Sequence, residues 1–576
     1  MKSHKVSSAP LKRIFNLLSL EREDITLIYG YAILGGVIGL SLPLGIQAVM
    51  TLMVGGEASS SWFVLISLII LGVLFVGIVQ ILQISIMERF QQKLMVKSSF
   101  DLAFRVPRWK LEEMLKQYAP ELMNRFFDVL GLQKGLSKLL VGFLSSFLQI
   151  IFAIILLAMY HPYFAMYGIA LFIVTLLIFR FTFEKGLSTS MQESAYKYKV
   201  VAWLEELART MNLVKLAGYT DMHLRKTNTI VNGWLRWRKA HFKVLMFQFG
   251  LIITFKVLMT GGLLIIGGLL VFAGELNIAQ FVASEITIIL IINSVEKLIG
   301  SIETIYDVLT SVEKLGKVMD IDLETDDGIS FEDIDTGRGV AIEFDELTYQ
   351  FPDTNTPVLD NISFRIKPGE KVCVTGMPGS GKSTLINLAS TLFHNYKGNI
   401  TFNDITLKNI NLISIRSYVG ENLAKKDLIQ GTIAENISMG RDDIGYHDIK
   451  KATDAVGLTS FIQKTDEGFN TKIVPEDITV PSSVVTKIAM ARSIAEKPHL
   501  FILDNFLQNL EERDKELIVS SLVGKDKFWT LIGASNDAVF AKRCDRIIVL
   551  SDGKIIGDGD FEHISSQPYA DVLFQK

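Results

Sequence analysis

The sequence predicts an α-helical membrane bundle of six spanning helices, followed by an α/β domain built on a phosphate-binding loop. Three observations carry this. Six long apolar runs fall in the first half of 576 residues, Lys and Arg are segregated among the turns between them, and Gly376-Met377-Pro378-Gly379-Ser380-Gly381-Lys382-Ser383-Thr384 lies in the second half. A chain of this length with mean hydropathy +0.34 and 49% hydrophobic residues exceeds one soluble domain.

The apolar runs cover 26–50, 62–87, 138–160, 163–184, 247–272 and 281–307, each near or above the ~20 residues that a bilayer core requires. The expected outer turns (Gly55–Ser60, His161-Pro162 and Ala273–Asn277) carry no Lys or Arg. The inner segments carry Lys2, Lys5, Lys12 and Arg13, then Lys93, Lys97, Arg105, Arg108 and Lys110, then Arg225, Lys226, Arg236, Arg238 and Lys239. By the positive-inside rule both termini are cytoplasmic. Residues 1–24 are polar and read as a cytoplasmic segment rather than a cleavable signal. Within them Leu11–Leu20 reads either as a helix lying on the inner membrane surface or as a solvated leader. The two inner loops, 88–137 and 185–246, carry apolar residues at helical spacing and read as long helical hairpins. Residues 101–126, with Pro107 and Trp109, form the expected tip of the first.

Charged and amide residues inside the runs are few. Lys256 sits in the fifth run and Glu285, Glu296 and Lys297 in the sixth. Lys256 and Glu296 fall at similar depth, so they read as an interhelical ion pair or a polar pathway, with snorkelling the alternative for Lys256. Gln80 and Gln83 of the second run are candidates to line the same path. The net charge of −3 argues against a nucleic-acid partner. Cys373 and Cys544 read as reduced, buried thiols.

Gly376–Thr384 fits G-x-x-x-x-G-K-[ST]. Across Gly376, Met377, Pro378, Gly379, Ser380 and Gly381 the backbone N–H groups, Pro378 excepted, surround a phosphate, Lys382 reaches its oxygens, and the Ser383 hydroxyl ligates Mg²⁺. The context agrees, since Glu370–Thr375 reads as a buried strand and Leu385–Ala389 as the start of a helix. Leu500-Phe501-Ile502-Leu503-Asp504 is a second apolar strand ending in a carboxylate, placing Asp504 as the other Mg²⁺ residue.

Six spans, two helical inner hairpins and a C-terminal phosphate-loop domain resemble the ATP-binding cassette exporters of the half-transporter type, over nearly the whole chain. Gly274–Val282 is similar to the stretch those proteins carry before their last span. The resemblance implies residues 25–310 as the transmembrane domain, 311–340 as a linker and 341–576 as the nucleotide-binding domain. It implies ATP and Mg as cofactors, and a homodimer or a heterodimer with another half-transporter, the inner-loop tips docking on nucleotide domains. Periplasmic adaptor and outer-membrane channel proteins, membrane lipid and a bacterial inner-membrane location are further expectations. Phe351 stands where exporters stack an aromatic on adenine, unless it is simply an apolar strand end.

The catalytic parts depart from the family pattern. After the Walker B Asp504, the position of the family's water-polarising Glu is Asn505. The signature LSGGQ aligns with Val480-Pro481-Ser482-Ser483-Val484, anchored on Lys487–Arg492. The Q-loop Gln falls on Ala424, the switch His on Asn536 and the D-loop Asp on Glu511. An amide holds a water without accepting its proton, so the 10²–10⁴-fold contribution of a general base is lost. Retained Mg-ATP binding with slow or partner-dependent hydrolysis is expected. Glu476, Asp477 and Asp537 are substitute carboxylates if the chain hydrolyses ATP by other groups. Three functions stand open: an ATP-driven exporter of peptide, protein or lipid-like cargo, a non-hydrolytic gating subunit of an export complex, and a scaffold with a vestigial nucleotide domain.

Overall fold

The structure is a computed structural model and describes residues 9–19, 21–55, 60–115, 119–334, 337, 339–352, 354–423, 428–474, 480–524 and 527–574. The chain divides into two compact units, 1–107 with 117–321, and 108–116 with 322–576. The helix Ile302–Met319 runs through the first part of the expected linker, and the tip Arg108–Lys116 belongs to the second unit.

The first unit is helical. Arg22–Gly39 and Ser41–Val54 make the first span, broken where Pro43 removes an N–H and crowds the carbonyl four residues back. Ser60–Arg105 follows as 46 unbroken residues. At 1.5 Å per residue such a helix is about 69 Å long, more than twice the ~30 Å bilayer core, so it carries the second span well beyond the membrane. Pro162–Arg209 and Met222–Phe272 do the same for the second inner hairpin, with 48 and 51 residues. The third span, ending in Leu144–Tyr160, passes through a π-helical turn at Lys138–Phe143. Among the described residues five helical segments are long and apolar enough to cross a membrane, Arg22–Val54, Ser60–Arg108, Glu121–Tyr160, Met222–Phe272 and Ile278–Met319. The expected fourth span lies within Pro162–Arg209, whose shorter apolar stretch is Pro162–Val174.

Specific contacts fix this bundle. His161 and Glu275, from two of the expected outer turns, meet at 3.0 Å. Asn277 and Gln280 form a reciprocal capping box at the start of Ile278–Gly300. The N-terminal helix Ala9–Ser19 is not a free leader: Ile14 and Leu18 pack on a core of Ile28, Phe90, Val129 and Val308, and Arg13 pairs with Glu313 at 3.2 Å.

The second unit holds a six-stranded sheet in the order Lys554–Gly559, Arg546–Ser551, Lys371–Gly376, Thr530–Ala534, Leu500–Asp504, Val419–Asn422. Its strands are parallel except the antiparallel edge Lys554–Gly559. The three central strands are buried along their whole length, as parallel strands covered on both faces must be. A four-stranded antiparallel sheet orders Leu359–Ile366, Ile342–Tyr349, Lys397–Phe402 and Ile405–Thr406. Cys373 and Cys544 are both free and buried, as expected.

Candidate functional site

Ligands of open parallel sheets lie at the carboxyl ends of the strands, and there the sequence-predicted residues converge. Lys371–Gly376 ends in the phosphate loop, and the helix Lys382–Ala389 starts directly after it. Gly376 and Gly381 are required by shape. A Cβ on Gly376 would sit 2.2 Å from the Leu550 carbonyl oxygen, and one on Gly381 2.9 Å from that of Val358, with φ at 154° and 100°. Gly379 has φ 85° with open space around it, and Met377 is half exposed on the rim. Ser380 and Thr384 are buried, and the Ser380 hydroxyl has no hydrogen-bond partner.

Lys382 Nζ donates to the carbonyls of Gly376 at 2.7 Å and Met377 at 2.9 Å, folded back across the loop it serves. Burial lowers its pKa, opposed by the Asp504 carboxylate. Asp504 is 3% exposed, its pKa raised by burial and lowered by the Ser383 hydroxyl and by Lys382. The two expected Mg²⁺ residues, Ser383 and Asp504, thus stand close together at the end of the loop.

The residues at the departing positions are engaged within the chain. Asn505, in a left-handed conformation at φ 47°, donates its amide N–H to Asp504 Oδ1 at 3.0 Å, and its backbone N–H to Ala534 at 3.0 Å. The Asn536 amide oxygen accepts from Thr375 Oγ1 at 3.0 Å and from Gly376 N at 3.4 Å. Its amide nitrogen donates to the Gly376 carbonyl at 3.0 Å. Sequence reasoning missed this contact with the phosphate loop, because it joins residues 160 positions apart. Asp537 caps Val539 N at 2.8 Å and pairs with Lys515 at 3.0 Å, so it is bound up in the helix start that follows. Pro481 precedes the helix Ser482–Ala495, its carbonyl accepting from Val484 N at 2.9 Å. Glu511 is the residue before the helix Glu512–Leu522. Ala424, Glu476 and Asp477 lie outside the described residues. Phe351 is half buried and packs edge-on against Tyr349 and Phe393, with centroids at 5.2 and 5.9 Å.

The unit also holds the first inner-loop tip. Glu112 Oε1 accepts from the backbone N–H of His394 at 2.7 Å and Asn395 at 2.8 Å, shortly after the phosphate-loop helix. Trp109 bridges Leu323, and Glu324 of that strap takes a two-pronged grip from Arg416 at 2.6 and 2.9 Å. In the first unit Lys256 and Glu296 form an interhelical ion pair at 2.5 Å, the first of the alternatives for these charges. Gln83 is buried and donates to the Ile28 carbonyl at 3.5 Å, whereas Gln80 is exposed.

A membrane helix bundle fused to a parallel-sheet domain with a phosphate loop at its centre defines an integral membrane protein with a nucleotide-binding domain. Residues 25–295 match the ABC transporter transmembrane region and residues 359–508 match the ABC transporter family. The chain belongs to the ATP-binding cassette transporters. It is 31% identical over 232 residues to the ATP-dependent permease MDL1 of Candida albicans, covering 39% of this chain and 34% of that protein. It is 28% identical over 266 residues to the ATP-dependent lipid A-core flippase of Pseudomonas fluorescens, covering 46% of this chain and 44% of that protein. The matches thus span less than half the length of these relatives. A solved bacterial Atm1-family ABC exporter with ATP bound superposes with TM-score 0.85 over 97% of this chain and 98% of that one, at 18% identity. That likeness shows the fold.

The site fits the ATP and Mg that the family implies. Gly376 and Gly381 leave no room for side chains, the Ser380 hydroxyl is unpaired, and one hydroxyl and one carboxylate adjoin at the loop's end. Among the described residues no group of three His, Cys, Asp or Glu could hold a metal. Mg²⁺ does not need one, since it keeps waters and takes one or two protein ligands beside the phosphates.

Proposed function

We propose that this chain is an exporter subunit that binds Mg-ATP at its cytoplasmic phosphate loop and couples binding to movement of peptide, protein or lipid-like cargo, with slow or partner-dependent hydrolysis. The observation that carries it is a complete phosphate loop beside a Walker B carboxylate whose next residue, Asn505, donates to that carboxylate. Gly376–Gly381 present the backbone cradle, Lys382, now on the two carbonyls, would turn to the phosphates, and Ser383 with Asp504 would hold the metal. Bound Mg²⁺ supplies neutralisation of phosphate charge. Phe351 offers an aromatic face to adenine. Asn505 offers an amide where proton acceptance is needed, which lowers the rate of water attack without weakening binding.

The second reading, a non-hydrolytic gating or scaffold subunit of an export complex, is favoured by the same amides at Asn505 and Asn536. A ligand that prefers one conformation shifts the equilibrium without being consumed. The two readings share nucleotide affinity and differ in turnover. A dimer, with itself or another half-transporter, is part of both, and the location is the bacterial inner membrane with the nucleotide domain inside.

The test is ATP binding and hydrolysis by the full-length chain in lipid, beside Lys382→Ala. Affinity in the low micromolar range that Lys382→Ala abolishes is expected, with turnover well below 1 s⁻¹, the low end of ordinary enzymes. Fast turnover would overturn slow hydrolysis, and absent affinity would leave only the scaffold.

A further inference from the structure

Asn536 occupies the position where the family's resemblance places a switch His, yet its side chain is engaged with the phosphate loop of its own chain. One carboxamide makes three contacts there: it accepts from Thr375 Oγ1 at 3.0 Å and Gly376 N at 3.4 Å, and donates to the Gly376 carbonyl at 3.0 Å. The amide orientation follows from chemistry, because a flipped group would set its N–H₂ against the Gly376 N–H. A neutral imidazole has one donor and one acceptor on separated ring atoms, so it cannot serve both the N–H and the carbonyl of the same residue as this amide does.

The Gly376 carbonyl has a second donor, Lys382 Nζ at 2.7 Å. Gly376 is buried, and a buried carbonyl left unpaired is costly. When Lys382 leaves this carbonyl to reach a phosphate, Asn536 Nδ2 remains as its partner. Met377, whose carbonyl is the other Lys382 acceptor, is half exposed and has water in reserve.

We propose that Asn536 is a positioning residue of the nucleotide site, a clamp that fixes the mouth of the phosphate loop and keeps the Gly376 carbonyl satisfied when Lys382 is released, and that it does not read the γ-phosphate. This rests on the reading of Gly376–Thr384 as the nucleotide cradle. The clamp acts on the loop backbone, which holds the α- and β-phosphates shared by ATP and ADP. It therefore supports both nucleotides equally, whereas a γ-phosphate contact would support ATP alone.

The experiment measures ATP and ADP dissociation constants with Mg²⁺ for the full-length chain in lipid nanodiscs, for wild type, Asn536→Ala, Asn536→His and Thr375→Val. Hydrogen exchange of 374–381 is followed in parallel without nucleotide. Losing two or three hydrogen bonds of about 1 kcal/mol each, partly replaced by water, predicts about a tenfold rise in both constants for Asn536→Ala. Asn536→His, which installs the family's residue, weakens both nucleotides too, and exchange of the loop amides accelerates in both variants. Thr375→Val has a smaller effect, and the double variant Thr375→Val with Asn536→Ala, measured beside the singles, loses less than their sum, since each removes the same bond. A loss confined to ATP, tighter ATP binding by Asn536→His, or unchanged exchange overturns the clamp. If wild type binds neither nucleotide the cradle reading fails, and the exchange data still decide whether Asn536 holds the loop.

Discussion

At the scale of single residues, Asn505 decides most about rate. Its amide stands beside Asp504 in a left-handed conformation, at φ 47°, which Asn tolerates better than a longer side chain does. Asn505→Glu restores a proton acceptor but carries about 1 kcal/mol of backbone strain. The expected gain in ATP turnover is therefore about 10²-fold, the low end of the general-base range. A steady-state ATPase assay on the reconstituted chain checks it; an unchanged rate would mean that the other departures, at Asn536 and Val480–Val484, are limiting too. The phosphate loop was legible in the sequence because its chemistry lies in consecutive backbone groups. Asn505 was legible because Asp504 precedes it directly. The grip of Asn536 on Gly376 was not, since it depends on two parallel strands laid side by side, and no local pattern encodes which of its neighbours an amide meets.

At the scale of elements, charge pairs tie helices and straps together. Lys256 and Glu296 lie on different membrane helices; their similar depth below one outer turn was legible, but it left a pair, a polar pathway and snorkelling open, and the structure shows the pair. An unpaired charge in hydrocarbon costs roughly 2.5–3.5 kcal/mol on insertion scales. Lys256→Met should therefore destabilise the chain in lipid by about that amount, and Lys256→Met with Glu296→Leu should recover most of it. Thermal unfolding by tryptophan fluorescence tests this, and equal losses in the single and double variants would show that the pair is solvated. Glu324 gives a pH signature in the other unit. Burial pushes its pKa up, but hydrogen bonds from His394 and Arg416 more than offset this, holding it at about 2 instead of the usual 4.5. A carboxylate depressed in the fold stabilises above its unfolded pKa and loses that contribution as pH falls. Wild type should therefore lose stability between about pH 4.5 and 2, and Glu324→Gln should be less stable near neutrality and flatter through that window. The long inner hairpins were readable from 3.6-residue periodicity. Their length was blurred in the sequence because a continuous helix crossing from lipid to water changes composition without changing conformation. The assignment of Arg108–Lys116 to the nucleotide-binding unit rests on Glu112 and Trp109 contacts that no periodicity reveals.

At the scale of the whole molecule, the second inner hairpin ends in an uncovered apolar tip. Leu213, Leu216 and Tyr219 are 69%, 86% and 112% exposed, between Pro162–Arg209 and Met222–Phe272. Large apolar side chains clustered at the end of a rigid rod mark a surface that another body covers. In the dimer proposed above, the resemblance gives that body as a nucleotide-binding domain. Coupling then runs through this tip rather than through the nucleotide chemistry. Moving a two-state equilibrium from 1:99 to 99:1 needs about 5.5 kcal/mol of differential binding, an amount ATP can supply without being cleaved. It reaches the spans only if the tip stays docked. Leu216→Asp with Tyr219→Asp should leave Mg-ATP affinity within about twofold of wild type, since neither residue belongs to the phosphate loop or its strands. It should instead remove the ATP-induced distance change between spin labels placed on the outer turns. Spectra recorded with and without Mg-ATP in lipid test this. A label pair that still responds in the double variant would place the coupling elsewhere, with the Glu112 contact to the nucleotide unit as the remaining route.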